Sequence, residues 1–301
     1  MRAGRNRCVL SGRWNRGLKV SPDKIKIRSV AVAESLRDRF GPVALVTGAS
    51  SGLGKAFARH LAREGFDLII TARREPELTA LAEELRAQYN VRCLVRTVDL
   101  SDARAVDTLL ASLGEEEIDL LVSNAGFGTK GRFEADSLDT CIAMVNTNCV
   151  ASLALCHHLL PGMKARKRGG VILTGSMEGE VAFPFSATYA ASKAFLHSLG
   201  TALTAECEGS GVDILLLAPG PTDTEAPRKQ GFSNEQLSGL MAPEAVVEGA
   251  LSQLGRRSYW MPGWQNRLMI RMLKWLPRRM AARMAGAGLK AALKKSGREL
   301  V

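Results

Sequence analysis

No C-x-x-C pair occurs among the six cysteines (Cys8, Cys93, Cys141, Cys149, Cys156 and Cys207), and no cluster of cysteine and histidine has metal-ligand spacing. A disulfide framework and a zinc site are therefore not indicated, no metal is expected, and a reducing, cytoplasmic setting is the default. Internal repeats are lacking too. The first twenty residues hold no apolar run long enough for a signal-peptide core or a membrane span. Acidic residues are absent before Asp23 while arginine recurs. Residues 1–40 are therefore expected to be a basic, poorly ordered, non-catalytic extension, like an organellar leader or a disordered arm.

The chain of 301 residues is 46% hydrophobic, enough for a packed core. Its net charge of +11 is unevenly divided. Residues 1–40 carry 11 Lys/Arg against 3 Asp/Glu, residues 255–301 carry 12 against 1, and residues 41–254 carry 18 against 26. An acidic middle argues against a nucleic-acid-binding core and confines any polyanion contact to the ends.

From residue 43, short apolar runs alternate with amphipathic segments. Buried strands are expected at 43–47, 66–72, 93–98, 118–124, 170–175 and 212–218, and helices near 53–64, 76–88, 102–113, 137–163 and 187–208. That alternation predicts right-handed β-α-β units and a doubly wound parallel sheet of Rossmann type over 41–255. The stretch 219–242, rich in Pro, Gly and polar residues, reads as a long loop.

The first strand runs into "TGASSGLGKAFARHLA", with Gly48, Gly52 and Gly54 before a helix. Strand, glycine turn and helix N-terminus are what a β-α-β fold uses to meet a pyrophosphate through backbone N–H groups. The second strand ends "TARRE", and Arg73 and Arg74 offer two cations where an acid would suit a ribose 2′-hydroxyl, so NADP is favoured over NAD. Farther along, "SATYAASKAF" places Tyr189 and Lys193 four residues apart, on one side of a helix. An ammonium close to a phenol favours the phenolate and lowers its pKa from about 10.

These stretches together resemble the short-chain dehydrogenase/reductases. The resemblance rests on "TGASSGLG" (47–54), "DL" (99–100), "NAG" (124–126), Asn148, Ser176, "YAASK" (189–193) and "PGPTDT" (219–224), in that order over about residues 41–255. It implies a catalytic tetrad of Asn148, Ser176, Tyr189 and Lys193. Tyr189 is the proton donor, Ser176 holds the substrate oxygen, Lys193 also grips the nicotinamide ribose, and Asn148 holds a relaying water. It further implies cofactor contacts from Gly48, Ser50, Ser51, Gly52, Leu53 and Gly54, from Arg73 and Arg74, and from Asp99 and Leu100. Asn124, Ala125 and Gly126 follow, then Pro219, Gly220, Thr222 and Thr224, with Asp99 at the adenine and Thr224 at the nicotinamide amide. Ser123 stands where the family usually has a further Asn, and Met177 and Glu178 where small residues are commoner.

The expected activity is NADP(H)-dependent interconversion of a carbonyl and a secondary alcohol. A pocket drawn from Phe127, Met177, Phe183, Phe185 and residues 225–242 would favour an apolar substrate. The alternative is a dinucleotide-sensing or scaffold protein on the same fold, against which the complete Ser-Tyr-Lys-Asn set speaks. His157 and His158 read as packing or surface residues.

Residues 256–301 read as a basic helical tail. On a helical wheel of 266–284, Arg267, Arg271 and Lys274 fall within about 60° while Met269, Met272, Leu273, Trp275 and Leu276 fill the other side, with a break near Pro277. Such a helix could lie on an anionic membrane, cover the substrate site or pack in an oligomer. It could also simply pack on its own domain; the sharper expectation is that 266–284 meets an anionic membrane or a hydrophobic partner and contributes little to domain stability, and a homo-oligomer is expected too.

Overall fold

The computed structural model describes residues 35–114, 116–230, 232 and 240–295; the expectations for residues 1–34, for most of 231–239 and for 296–301 lie outside them. Beyond a short helix α1 (Leu36–Phe40), the chain alternates strand and helix. Strands β1 (Val43–Thr47), β2 (Asp67–Ala72) and β3 (Cys93–Thr97) are linked by helices α2 (Gly52–Arg63) and α3 (Glu75–Tyr89). Helix α4 (Ala103–Ser112) leads to β4 (Leu120–Ser123), and α5 (Leu138–Val145) and α6 (Ala151–Ala165) lead to β5 (Gly169–Thr174). Helix α7 (Ala187–Glu206) then precedes β6 (Val212–Leu217). The six expected strands are all present within two residues of their predicted ends.

Every neighbouring pair in the sheet is parallel, in the order β3-β2-β1-β4-β5-β6 with one further strand, β7 (Tyr259–Trp260), at the edge. From β1 the chain builds outward to β3, then returns to lay β4 on the other side of β1. That reversal opens a crevice at the carboxyl ends of β1 and β4, where ligands of open α/β sheets bind.

The apolar runs are buried on both faces. Leu61, Leu78, Leu81 and Leu85, with Val246, Val247 and Leu251 of α9 (Pro243–Gln253), pack on one side with Val46 and Ile70. Leu109, Leu155, Leu159 and Met163 pack on the other with Leu45, Leu121 and Leu173. Full burial of each such side chain is worth about 1.5–3 kcal/mol.

Three features depart from the expected pattern. The predicted loop 219–242 contains a short helix, α8 (Glu225–Lys229), capped by Thr224 Oγ1 accepting from the Ala226 N–H at 3.3 Å. The long helix expected over 137–163 is split by a π-helical turn, Asn146–Val150, between α5 and α6. The run Leu138–Ala165 is long and apolar enough to cross a membrane by length and composition, yet Ala151, Leu155, Leu159 and Met163 are buried against the sheet.

The C-terminal segment forms α10 (Trp264–Trp275) and α11 (Arg278–Lys295), broken at Pro277 as its sequence requires. Its inner face packs on the domain, as the plainer of the two readings has it. Ile270, Leu273, Ala281 and Ala285 are buried with Met177, Ala218 and Met261. Leu273, which the wheel groups with Met269, Met272, Trp275 and Leu276 on the apolar side, points inward. Trp264, Leu268, Met272 and Trp275 follow a helical repeat on the opposite side and are exposed, Trp275 to 82%.

Candidate active site

The crevice begins at the glycine turn. Gly48 has φ +68°, and a Cβ built on it would lie 2.9 Å from Ala125 Cα, so the position needs both the left-handed backbone and the missing side chain. Gly54 is closed in by the Gly48 carbonyl and by Asn124, whose Nδ2 would stand 2.7 Å from a Cβ there. Ser51, the residue before α2, offers no side-chain cap, so nothing from that side chain covers the first-turn N–H groups. Leu53 packs on the core beneath. An open helix N-terminus behind a cradle that only glycine can line fits a dinucleotide pyrophosphate.

Residues at the ends of β1 and β4 brace this turn. Thr47 Oγ1 accepts from the N–H groups of Asn124 and Ala125, both at 2.9 Å, and Asn124 Nδ2 donates to the Thr47 carbonyl at 3.1 Å. At the end of β2, Arg74 donates to Ser50 Oγ at 3.2 Å and pairs with Glu225 of α8 at 3.2 Å and with Glu77 at 3.3 Å. Arg73 is exposed, with Asp99 at 3.9 Å. Asp99 accepts from the Ser101 N–H and hydroxyl, at 2.9 and 2.8 Å, and so holds its own turn. The Leu100 side chain is buried in the core, so only its backbone is available to the crevice.

Pro219, Gly220, Thr222 and Thr224 lie beyond β6. Thr222 Oγ1 donates to the Gly220 carbonyl at 3.0 Å. Thr224 sits against Gly52, whose Cβ would approach its methyl at 3.1 Å. Gly126 faces the tetrad, since a Cβ there would lie 2.8 Å from Asn148 Oδ1 and 3.2 Å from Lys193 Nζ.

The four predicted tetrad residues come from three places: Asn148 from the π turn, Ser176 from the end of β5, and Tyr189 and Lys193 both from α7. Asn148, fully buried in the π turn, accepts from the Phe127 N–H at 3.0 Å, and its Nδ2 donates to the Phe127 carbonyl at 3.0 Å and to Ser192 Oγ at 2.8 Å. The widened turn lets the helix present Asn148 sideways to the loop after β4. Lys193 Nζ, buried, donates to the Thr174 carbonyl at 2.8 Å, and burial brings its pKa down to about 8. Ser176, at the end of β5, hydrogen-bonds Tyr189 and also accepts from the Glu178 N–H at 3.2 Å.

The expectation that Lys193 lowers the Tyr189 pKa is not met in the protein alone. Burial, and then the Glu178 carboxylate, push that phenol above its ordinary range, and the Ser176 hydrogen bond only partly opposes them. Lys193 Nζ is committed to Thr174 and lies 5.7 Å from the Tyr189 ring centre.

Ser123, the departure in "SNAG", donates to Ser152 Oγ at 2.9 Å, and Ser152 donates to the Asn148 carbonyl at 3.1 Å. Met177 and Phe183 meet α10 and α11 in a shared apolar cluster, so these helices form one wall beside Ser176. Phe127 is held by Asn148, while Phe185 takes φ +66° and its carbonyl accepts from the Gly131 N–H. His157 and His158 are exposed on α6. Lys130, Ser186 and Ser192 join the site without any sequence signal that marks them.

The short-chain dehydrogenase family model matches residues 42–234. The chain belongs to that family. A 7beta-hydroxysteroid dehydrogenase from Collinsella aerofaciens is 31% identical over 77% of this chain and 90% of its own length. A solved structure of a 7beta-hydroxysteroid dehydrogenase aligns with TM-score 0.78 at 29% identity, over 83% of this chain and 99% of that one. A short-chain dehydrogenase from Sphingobium yanoikuyae, solved with NADPH, aligns with TM-score 0.70 at 29% identity, over 74% and 88%. As a member of that family, this chain is an oxidoreductase acting on carbonyl and alcohol groups.

Proposed function

We propose that this protein uses NADP(H) to interconvert an apolar ketone and its secondary alcohol, with Tyr189 as the proton donor to the carbonyl oxygen. The observation that carries the proposal is the convergence of Tyr189, Ser176, Lys193 and Asn148 at the crevice behind the glycine turn. The cofactor, when bound, supplies or accepts the hydride. Gly48, Ser50, Ser51, Gly52 and Gly54 hold its pyrophosphate, Arg73 and Arg74 its 2′-phosphate, and Asn124 to Gly126 line its path to the tetrad.

Tyr189 stays protonated over the neutral range, so it has a proton to give. Ser176 fixes the phenol and the substrate oxygen in one place. Lys193, charged below a pH of about 8, offers an ammonium toward the ribose and stabilises the phenolate that remains. Asn148 holds the Phe127 backbone and so sets the loop that borders them.

An apolar substrate is supported by the Met177 and Phe183 cluster and by the hydroxysteroid-acting relatives. Assay of NADPH oxidation with a 7-oxo steroid, a long-chain ketone and an aryl ketone tests the proposal together with Tyr189→Phe. Turnover of at least one ketone by the wild type, a fall of about 10²–10⁴ in Tyr189→Phe and unchanged NADPH binding are expected. Substantial turnover by Tyr189→Phe would overturn it, and binding with no turnover of any ketone would favour the sensor alternative.

Two partners belong to the same proposal. Ile142, Val145, Val150 and Leu153 of the α5–α6 run and Phe195 of α7 are exposed apolar residues on neighbouring helices, which suits a homo-oligomer. The exposed Trp264, Leu268, Met272 and Trp275 beside Arg267, Arg271 and Lys274 suit peripheral contact of a cytoplasmic protein with an anionic membrane.

A further inference from the structure

Lys130 is buried, its side chain only 2% exposed, and it lies in the loop after β4 outside every motif. Its Nζ donates to both Glu178 carboxylate oxygens at 2.6 Å and to Ser186 Oγ at 2.7 Å, and Ser186 Oγ donates to Glu178 Oε2 at 2.6 Å. The same ammonium stands 4.8 Å from the centre of the Tyr189 ring, within cation–π range. Glu178 lies two residues after Ser176, and Ser186 immediately precedes α7, three residues before Tyr189. The triangle therefore joins three chain segments at the phenol. Gly128, in the same loop as Lys130, lies so close to the ring that a Cβ would stand 2.7 Å from Tyr189 Cγ.

We propose that Lys130 and Glu178 form a positioning pair for Tyr189, which holds the phenol ring against the loop after β4 and keeps a second cation beside it electrically balanced. This rests on the assignment of Tyr189 as the proton donor. A buried ammonium needs a counter-ion, and Glu178 meets that need with two hydrogen bonds. Alone, Lys130 would favour the phenolate; alone, Glu178 would favour the phenol. The groups bearing on the ring are then Lys130 from the β4 loop, Glu178 from the turn after β5 and Lys193 from α7. Cys141 of α5 touches the neighbouring Thr188. Burial and Glu178 together raise the phenol, which agrees in sign.

The two single variants should move Tyr189 in opposite directions. Glu178→Gln removes the carboxylate that raises the phenol and so lowers the ionisation midpoint. Lys130→Met leaves the carboxylate and raises it. In cofactor-free protein labelled with [13Cζ]tyrosine, the Tyr189 resonance is assigned by its loss in Tyr189→Phe. It should begin to move toward the phenolate position about one pH unit lower in Glu178→Gln than in the wild type. The pH profile of alcohol oxidation should shift the same way, and in Lys130→Met the opposite way.

Loss of turnover with an unshifted resonance and an unshifted profile would mean a purely structural role and overturns the proposal. Should Glu178→Gln not fold, Lys130→Met alone decides, since an unshifted midpoint there has the same consequence. Activity persisting in Tyr189→Phe would instead defeat the proton-donor assignment, so the two failures are distinguishable.

Discussion

Arg74 Nη1 lies 3.2 Å from Glu225 Oε2, which ties the end of β2 to the first turn of α8 across the mouth of the crevice. A 2′-phosphate would meet Arg74 already paired with Glu225 and Glu77. Arg74→Ala with Arg73→Ala should cost NADP affinity about 1–3 kcal/mol through lost charge-assisted contacts and leave NAD affinity nearly unchanged. Glu225→Gln should act the other way and tighten NADP by removing a competing carboxylate. Calorimetric titration of both coenzymes into the three proteins checks this. Equal losses for NADP and NAD would show that the arginines do not discriminate.

Lys193 couples two measurements. Lys193→Ala should lower kcat by about 10²–10⁴ and also weaken NADP binding, because one side chain serves the phenol and the ribose. Its pKa of about 8 adds a signature. Wild-type affinity for NADP should weaken as pH rises through that value, since the ammonium is lost, while Lys193→Ala shows no such step. A rate defect with full affinity at every pH would contradict the ribose contact.

The strands and the positions of the candidate site residues were legible because each rests on local pattern. Val43–Thr47 and Val212–Leu217 are apolar runs of strand length, and the glycines of 48–54 mark a turn whose geometry admits no Cβ at Gly48 or Gly54. The partners of those residues were not legible. Lys130 pairs with Glu178 forty-eight positions away, a juxtaposition that exists only once β4 and β5 are neighbours. The π turn at Asn148 leaves no mark in a sequence that scans as one helix. Strand β7 has two residues, too few to show a period, and is held by pairing with Leu216 and Leu217. The helical wheel found an amphipathic α10 but could not separate the buried Leu273 from the exposed Met272 and Trp275, because exposed and buried apolar stripes share one hemisphere there.

Glu180 gathers contacts from three elements: His197 Nδ1 at 3.2 Å, Lys274 of α10, and Tyr259 of β7. Burial alone would raise its pKa, yet the hydrogen bonds from His197, Lys274 and Tyr259 hold it down to about 2, against 4.5 for the free group. A depressed carboxyl stabilises the fold above the free-group pKa, and that stability is lost as pH falls from about 4.5 toward about 2. Glu180→Gln should therefore lower Tm by roughly 5 °C near neutrality. The difference from the wild type should shrink as the medium is acidified through that window. Thermal melts across the acid range measure it, and a gap that stays constant with pH would contradict the ion-paired state.

The outward face of α10 should bind anionic membranes. Among residues 264–295 there are no acidic side chains, while Arg267, Arg271, Arg278, Arg279 and Arg283 are exposed around Trp264, Leu268, Met272 and Trp275. Each basic residue near an anionic surface adds about 1 kcal/mol, so several together give salt-sensitive attachment without a spanning segment. Deleting the helix would confuse the test, because Ile270 and Leu273 are buried in the cluster that includes Met177. Point variants keep that inner face intact. Trp264→Ser with Trp275→Ser removes apolar anchors, and Arg271→Glu with Arg278→Glu and Arg279→Glu reverses charge at exposed positions. In flotation with vesicles containing phosphatidylserine, the full-length wild type should rise at low salt and less at high salt. Both variants should remain at the bottom with unaltered Tm. Vesicles of phosphatidylcholine alone should carry little protein, as the attraction is partly coulombic. If the wild type stays at the bottom, or if the charge-reversed protein floats equally well, the exposed stripe meets another protein surface instead, and sedimentation equilibrium of the same variants would then report the lost self-association.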